Sequence, residues 1–523
     1  MRWTRAVVSA ATLSILLTGC GAGPSDRPGV AVERPVAAGG VKPETNAPAP
    51  PPQAEPPKTD LAWRDCTAPT LDGLGLGPAP AGLVLECAEF STPIDSGGAV
   101  LGTFRAGAMR ARLPQTPLDV APLVLTSGVD RPSTATLAGL AIGQGSAMLT
   151  ARPIVAVDRR GLGASQPIDC LPPEVRRALA DNAQFGTGAA QSDRDPAVAM
   201  TSLSQNATIA CRDFLQPYEG AFDAPHAADD IEQLRKQWQV DHLMLLGSGN
   251  GAKVALSYAR RYGDHLTRLV LDSPVPVNTD TVTRTEQRVK GAEAALSAFA
   301  QHCTGLGCAL GVDPRAAVTD LVGRASSGGL GDISASALTT ALASYLGDPR
   351  ADQPDRTAEL ADALAAAIKG DRPRLVALMR RQAEATGTDG QFVNGCTDTQ
   401  QQPTPNQAKD LGETWGGKYP VFGRTAALGM LGCVAWPTAD VPPLPDKLDL
   451  PVLILGAAAD PVVGTGGQAS VSGALGAAGA RHATVTWQGF GHPAFSHSGC
   501  AQTAILEYLK EAKLPADGTV CPA

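Results

Sequence analysis

The stretch Leu243-Met244-Leu245-Leu246-Gly247-Ser248-Gly249-Asn250-Gly251-Ala252-Lys253-Val254-Ala255-Leu256 decides how the rest of the chain is read. A short apolar run, a turn of alternating glycines and an Ala/Leu-rich run follow one another without a gap. That order describes a buried strand bending directly into a helix. A G-x-S-x-G elbow uses such a bend to lift a serine hydroxyl above the end of a sheet. Gly247 and Gly251 stand at the outer positions, but the central residue is Gly249, and the nearest hydroxyl, Ser248, comes one residue early. The segment specifies a site and lacks the atom that would work there. Glycine suits the position physically: the elbow conformation costs a residue with a side chain about 1–3 kcal/mol, and glycine adopts it freely.

Working outward, residues 121–126 and 153–157 before the elbow and 269–272 after it are short apolar runs ending in turn residues, as buried parallel strands do. Residues 227–238 have helical spacing. Alternating strands and helices imply an α/β protein with a mostly parallel, doubly wound sheet. From residue 278 to 443 the pattern becomes helical, with helices expected over 285–303, 358–369 and 373–381, the last two separated by Gly370 and Pro373. This is read as an inserted helical lid. Sheet character returns at 451–456 and 483–487, and a helix over 501–509 closes the chain. The expected division is a first core part over 61–277, a lid over 278–443 and a C-terminal core part over 444–523.

The N-terminus reads as a lipoprotein signal over 1–19. Arg2 and Arg5 precede an apolar run over 6–17 that is too short to span a bilayer comfortably. Leu17-Thr18-Gly19-Cys20 resembles a lipobox, which makes Cys20 the lipidation site and the membrane a partner through the lipid anchor only. The expected location is the outer face of the cytoplasmic membrane, after export. Residues 20–60 then form a tether, with ten prolines among residues 21–60 and almost no large apolar side chain. Without Cys20, ten of the eleven cysteines remain, an even number that favours disulfides in an exported chain. Proximity in sequence suggests Cys66–Cys87, Cys170–Cys211, Cys303–Cys308, Cys396–Cys433 and Cys500–Cys521. No zinc-type spacing occurs, so neither a metal nor an organic cofactor is expected. A net charge of −8 without a basic cluster argues against nucleic acid.

Two residues beyond the elbow complete a catalytic pattern in the chain order serine, acid, histidine. Asp460 follows the strand near 453–455, and His492 follows the next one, in Gly489-Phe490-Gly491-His492. With Val157-Asp158-Arg159-Arg160-Gly161-Leu162-Gly163, Leu269-Val270-Leu271-Asp272, Asp460-Pro461-Val462 and the end Leu514-Pro515-Ala516-Asp517-Gly518-Thr519-Val520-Cys521, they carry a resemblance over roughly residues 61–523. The chain resembles the secreted tripeptidyl-aminopeptidase and proline-iminopeptidase-like α/β-hydrolases of actinobacteria (peptidase family S33), including lipid-anchored members. The resemblance implies an α/β-hydrolase fold and release of short N-terminal peptides, or ester hydrolysis, through an acyl-enzyme. It also implies substrate contact at Ser127, Gly128 and Asp398, the last near a substrate amino terminus.

Two departures oppose that chemistry. Gly249 stands at the nucleophile, and the oxyanion loop reads Ser127-Gly128-Val129-Asp130-Arg131-Pro132. A carboxylate and a proline are poor replacements in a loop that aims N–H groups at a developing oxyanion. Loss of a triad serine alone costs about a million-fold in turnover. The leading expectation is a catalytically impaired envelope lipoprotein that binds a peptide or small molecule in the former cleft. The alternatives are an active serine-type exopeptidase or esterase with a non-standard nucleophile, Ser248 or water, and an envelope scaffold with an idle cleft. Ser248 is expected to point away from the central position, Asp460 and His492 to persist as a polar pair, and His497 to lie on the surface. Asp158, Arg159 and Arg160 are expected to brace the loop beside the oxyanion region. Asp130 and Arg131 are either solvated charges or pocket walls.

Overall fold

A computed structural model describes residues 52–185, 195–438 and 440–523. The expected signal, Cys20 and most of the tether lie outside the described residues. Where description begins, the chain soon touches the body: the Lys58 N–H donates to the Trp238 carbonyl at 2.9 Å, and Asp60 pairs with Arg110 at 2.7 Å.

Among the described residues, ten strands form one sheet: β1 Arg64–Asp65, β2 Val84–Pro93, β3 Thr103–Arg112, β4 Leu123–Thr126, β5 Ile154–Val157, β6 Leu243–Ser248, β7 Leu266–Asp272, β8 Val452–Ala459, β9 His482–Phe490 and β10 Thr519–Cys521. Their spatial order is β1-β2-β3-β5-β4-β6-β7-β8-β9-β10. The strands β5, β4, β6, β7, β8, β9 and β10 run parallel to one another, while β1, β2 and β3 form an antiparallel edge that joins them through an antiparallel β3–β5 pair. This is the α/β-hydrolase fold.

The buried strands divide their residues by alternation. Val124, Leu245, Leu269 and Ile454 pack on one face with the helices Ala224–Trp238, Gly251–Tyr262 and Gly466–Ala477. Leu123, Leu125, Leu246, Val270 and Leu455 pack on the other with the helices Ser133–Ile142 and Gly499–Glu511. Both faces are covered, so the strands read as continuous apolar runs rather than as alternation.

Between β7 and β8 the chain is helical, from Thr281–Leu306 to Gly423–Gly429, and has its own core around Leu296, Phe299, Leu338, Leu364 and Trp415. Asp280 caps the long first helix by accepting from the Thr283 N–H, and Gly307 ends it at φ +64°. The five disulfides join the pairs suggested by proximity in sequence.

The sheet order also places the site. In the β4–β6 register Thr126 lies opposite Gly247, so the loop after β4 emerges beside the elbow after β6. The ends of β8 and β9 bring Asp460 and His492 to the same edge.

Candidate active site

Asp460 and His492 meet as an acid–base pair. The His492 Nδ1 lies 2.8 Å from Asp460 Oδ2, while Asp460 Oδ1 accepts from the N–H groups of Val462 and Val463 at 2.8 and 3.0 Å. These amides fix the carboxylate, and the carboxylate fixes the ring. Burial alone would lower the pKa of His492, but Asp460, Asp130 and Asp272 together outweigh it and hold the pKa above the usual imidazole value. Asp272, at the end of β7, accepts from the N–H groups of Ala494 and Phe495 and so braces the loop that carries the ring.

The elbow is built as the sequence implies. Gly249 sits at φ +57°, in the left-handed region that glycine tolerates. The turn is tight: a Cβ on Gly247 would come within 2.7 Å of the Gly251 carbonyl. What fills the nucleophile's place is unexpected. A Cβ built on Gly249 would overlap the Asp130 carboxylate, and would lie 3.0 Å from the imidazole. Asp130 Oδ2 accepts the N–H of Asn250. In an elbow, the amide after the nucleophile is one of the two oxyanion donors. A neighbouring loop amide, the Val129 N–H, donates to Asn250 Oδ1 at 3.2 Å, and the Ser127 N–H donates to Ser133 Oγ at 2.9 Å. The chain's own side chains therefore crowd the space a side chain at residue 249 would take and satisfy the donors around it. Burial, opposed by His492 and the Asn250 amide, pushes the Asp130 carboxyl up to about 6.

Asp130 and Arg131 are thus pocket walls rather than solvated charges. Arg131 pairs with Asp348 of the helical region at 3.5 Å and donates to the Ser344 carbonyl. Together with Ser127 and His492 they line a cavity of 400 Å³, whose apolar wall includes Leu179, Val289, Ala292, Phe422 and Val462. Gly128, at φ +64°, packs against Asn250 and Gly251 and holds the two loops together. Asp158 accepts from Thr134 N, Thr134 Oγ1 and Ala164 N, which braces the loop, and burial pushes its carboxyl up to about 6. Arg160 pairs with Asp230 at 2.8 Å. Arg159 reaches Asn250 Oδ1 at 3.1 Å and Asp398 Oδ2 at 2.6 Å, tying the elbow to the helical region.

Three side chains differ from expectation. Ser248 does not turn away from the ring: its Oγ lies 3.3 Å from His492 Nε2, because the end of β6 aims it under the turn, where it has no accessible surface. His497 is not a surface residue. It is 4% exposed, stacks on Trp487 and bonds Asp352 at 2.6 Å. Asp398 is committed to Arg159, and Lys253 Nζ donates to its backbone carbonyl at 3.1 Å, so its charge is already matched. Sequence reading missed Asp130 as the occupant of the elbow. The signal was present, in an acid on the oxyanion loop together with a glycine at the nucleophile position. It also missed Arg284 and Arg288, which line the cleft from the helix Thr281–Leu306. Among the described residues no His, Cys, Asp or Glu group could hold a metal ion.

Residues 419–521, which carry Asp460 and His492, match the family model of TAP-like proteins, an α/β-hydrolase family. The chain resembles TAP-like α/β-hydrolases. The TAP-like region covers β8 to β10 and the last helices before them. No curated protein matches the chain. Similar solved structures include a bromoperoxidase from Bacillus anthracis, 15% identical, covering 81% of this chain and 100% of that one at a TM-score of 0.37. Esterase E22 is 11% identical over 81% and 100% of the two chains, at 0.40. A hydrolase from Pseudomonas aeruginosa PA01 is 13% identical over 80% and 98%, at 0.34.

Proposed function

We propose that this TAP-like chain is a catalytically silent α/β-hydrolase, carried as a lipid-anchored lipoprotein on the outer face of the cytoplasmic membrane, that binds a peptide or small molecule in its cleft. One observation carries the reading: the Asp130 carboxylate crowds the space that a side chain on residue 249 would need, and it takes the Asn250 amide. Acyl transfer needs a nucleophile and free donors aimed at the oxyanion. Gly249 supplies no oxygen, and the donors beside it are in use. The open cavity of 400 Å³ remains, walled by apolar side chains with a few polar groups, as binding sites are. Export and lipidation are supported by the 1–19 segment, Cys20 and the five disulfides.

The test is a paired measurement on the full chain in detergent. Fluorogenic tripeptides and short esters should show no turnover above buffer, while a subset of peptides or small molecules raises the melting temperature. Turnover abolished by His492→Ala would overturn the reading.

Ser248 favours a second reading. Its Oγ lies 3.3 Å from His492 Nε2, so the chain could be a serine hydrolase with a displaced nucleophile. That reading requires fluorophosphonate labelling that disappears in Ser248→Ala. Full burial of the hydroxyl argues against it.

A further inference from the structure

Beside the His492 cavity lies a second lobe of 250 Å³, and the two share Val129, Asp130, Arg288 and Val462 as walls. Its cations are Lys253, Arg284 and Arg288, and its carboxylates are Asp130 and Asp398. Both carboxylates are committed: Asp398 to Arg159 at 2.6 Å, and Asp130 to the Asn250 amide. Among the described residues neither Lys253 nor Arg284 touches a carboxylate: Lys253 Nζ has the Asp398 backbone carbonyl and Arg284 the Thr399 hydroxyl, at 3.3 Å, while Asp398 and Asp130 attract both from a distance. Among the described residues neither arginine is in an ion pair, although Asp130 attracts Arg288 from a distance.

Like charges crowd together in this lobe. Arg284 and Arg288 stand one turn apart on the helix Thr281–Leu306, a spacing at which like charges repel. Burial lowers the pKa of all three cations. Neighbouring guanidiniums add to this for Lys253, which falls to about 8, and for Arg284. Arg288 is exposed and stands at the wall of the open cleft. Converging cations in a cleft with low-dielectric walls focus their field on an incoming anion.

We infer that Lys253, Arg284 and Arg288 form a head-group site for a carboxylate, and that the uncharged body of the same ligand lies in the apolar lobe beside Val289 and Phe422. A multiply charged phosphate fits less well, because the Asp130 carboxylate, bonded to an amide rather than to a cation, shares the wall. The polarity is opposite to a site for a substrate amino terminus, since Asp398 is already neutralised. Two sources supply the required chemistry, a peptide C-terminus and a fatty acid.

This inference rests on the binding reading above, and calorimetry on the full chain in detergent separates the two. N-acetyl-Leu-Phe is compared with its C-terminal amide, and octanoate with octanol. At least one acid should bind about tenfold or more tighter than its neutral partner. The acid that does so identifies the source. The preference should shrink to about threefold or less in Arg288→Gln and in Lys253→Met. Arg288 has no ion pair to break, so its variant keeps the test valid if the lysine variant folds poorly. Equal binding of acid and neutral forms, no binding of either acid, stronger competition by inorganic phosphate than by acetate, or a preference that survives Arg288→Gln would each overturn the inference. Turnover of peptide or ester by the wild type would instead overturn the silent reading.

Discussion

Asp460 and His492 keep the arrangement of a working acid–base pair, whereas the elbow and the loop after β4 are closed on themselves. The first half is held by hydrogen bonds that need no substrate: two amides fix the carboxylate, and the carboxylate fixes the ring. In a working elbow the second half holds a strained residue and open donors, which are expensive to keep in the absence of catalysis. Gly249 removes the strain and Asp130 satisfies the Asn250 amide. The two residues also depend on each other, because a side chain at 249 overlaps the carboxylate of 130. On the proposed silent reading, the change in this cleft is a paired one, at residues 130 and 249 together.

The largest expected effect breaks that comparison by reopening the closed half. Gly249→Ser alone should give no hydrolysis, because its Cβ meets Asp130. Gly249→Ser with Asp130→Gly should raise ester hydrolysis by about 100-fold or more over wild type, a small part of the roughly million-fold that a triad serine supplies. Steady-state rates on a p-nitrophenyl ester decide it, and equal silence in both variants would place a further lesion in the loop.

Next in size is stability. Gly249→Ala should destabilise the wild type by about 1–3 kcal/mol for the positive φ, and by more for the overlap. The same substitution in Asp130→Gly should cost clearly less, as urea denaturation would show. Equal costs in both backgrounds would mean that the two positions do not touch.

A pH series sharpens the comparison further. The Asp130 carboxyl titrates at about 6, above the ordinary carboxylate value, chiefly because it is buried. A raised acid favours the folded state while it is protonated. Its contribution is complete below about pH 4 and is lost as pH climbs through about 6. Asp130→Asn, which cannot ionise, should gain about 1–3 kcal/mol on the wild type between pH 4 and pH 7. A gap that stays constant over that range would contradict the placement of Asp130. The smallest effect belongs to Ser248→Ala, which removes a long hydrogen bond and should change stability by less than about 1 kcal/mol and binding not at all.

Much of this molecule was legible in its sequence, for identifiable reasons. The strands β4, β6, β7 and β8 are buried on both faces, so they appear as short apolar runs between turn residues. Asp460 and His492 are close to strand ends and could be placed by chain order. The strands β2 and β3 near the antiparallel edge went unseen, because Glu86, Glu89, Arg105 and Arg110, spread over both faces, interrupt the apolar pattern. What failed in the site was direction. Spacing showed that Ser248 was one residue early but not that the end of β6 would aim its oxygen beneath the ring. Asp130 was recognised as wrong for an oxyanion loop, but only the fold brings it to a residue 119 positions later. The cationic lobe joins Lys253 of one helix to Arg284 and Arg288 of another, and the chain offers no local signal of that meeting.

The most direct test of the exchange between residues 130 and 249 is fluorophosphonate labelling, read by intact-protein mass, of four proteins: wild type, Gly249→Ser, Asp130→Gly and the double variant. The account predicts an adduct only in the double variant, mapped by peptide mass to position 249. An adduct on the wild type, or on Gly249→Ser as strongly as on the double variant, would contradict it.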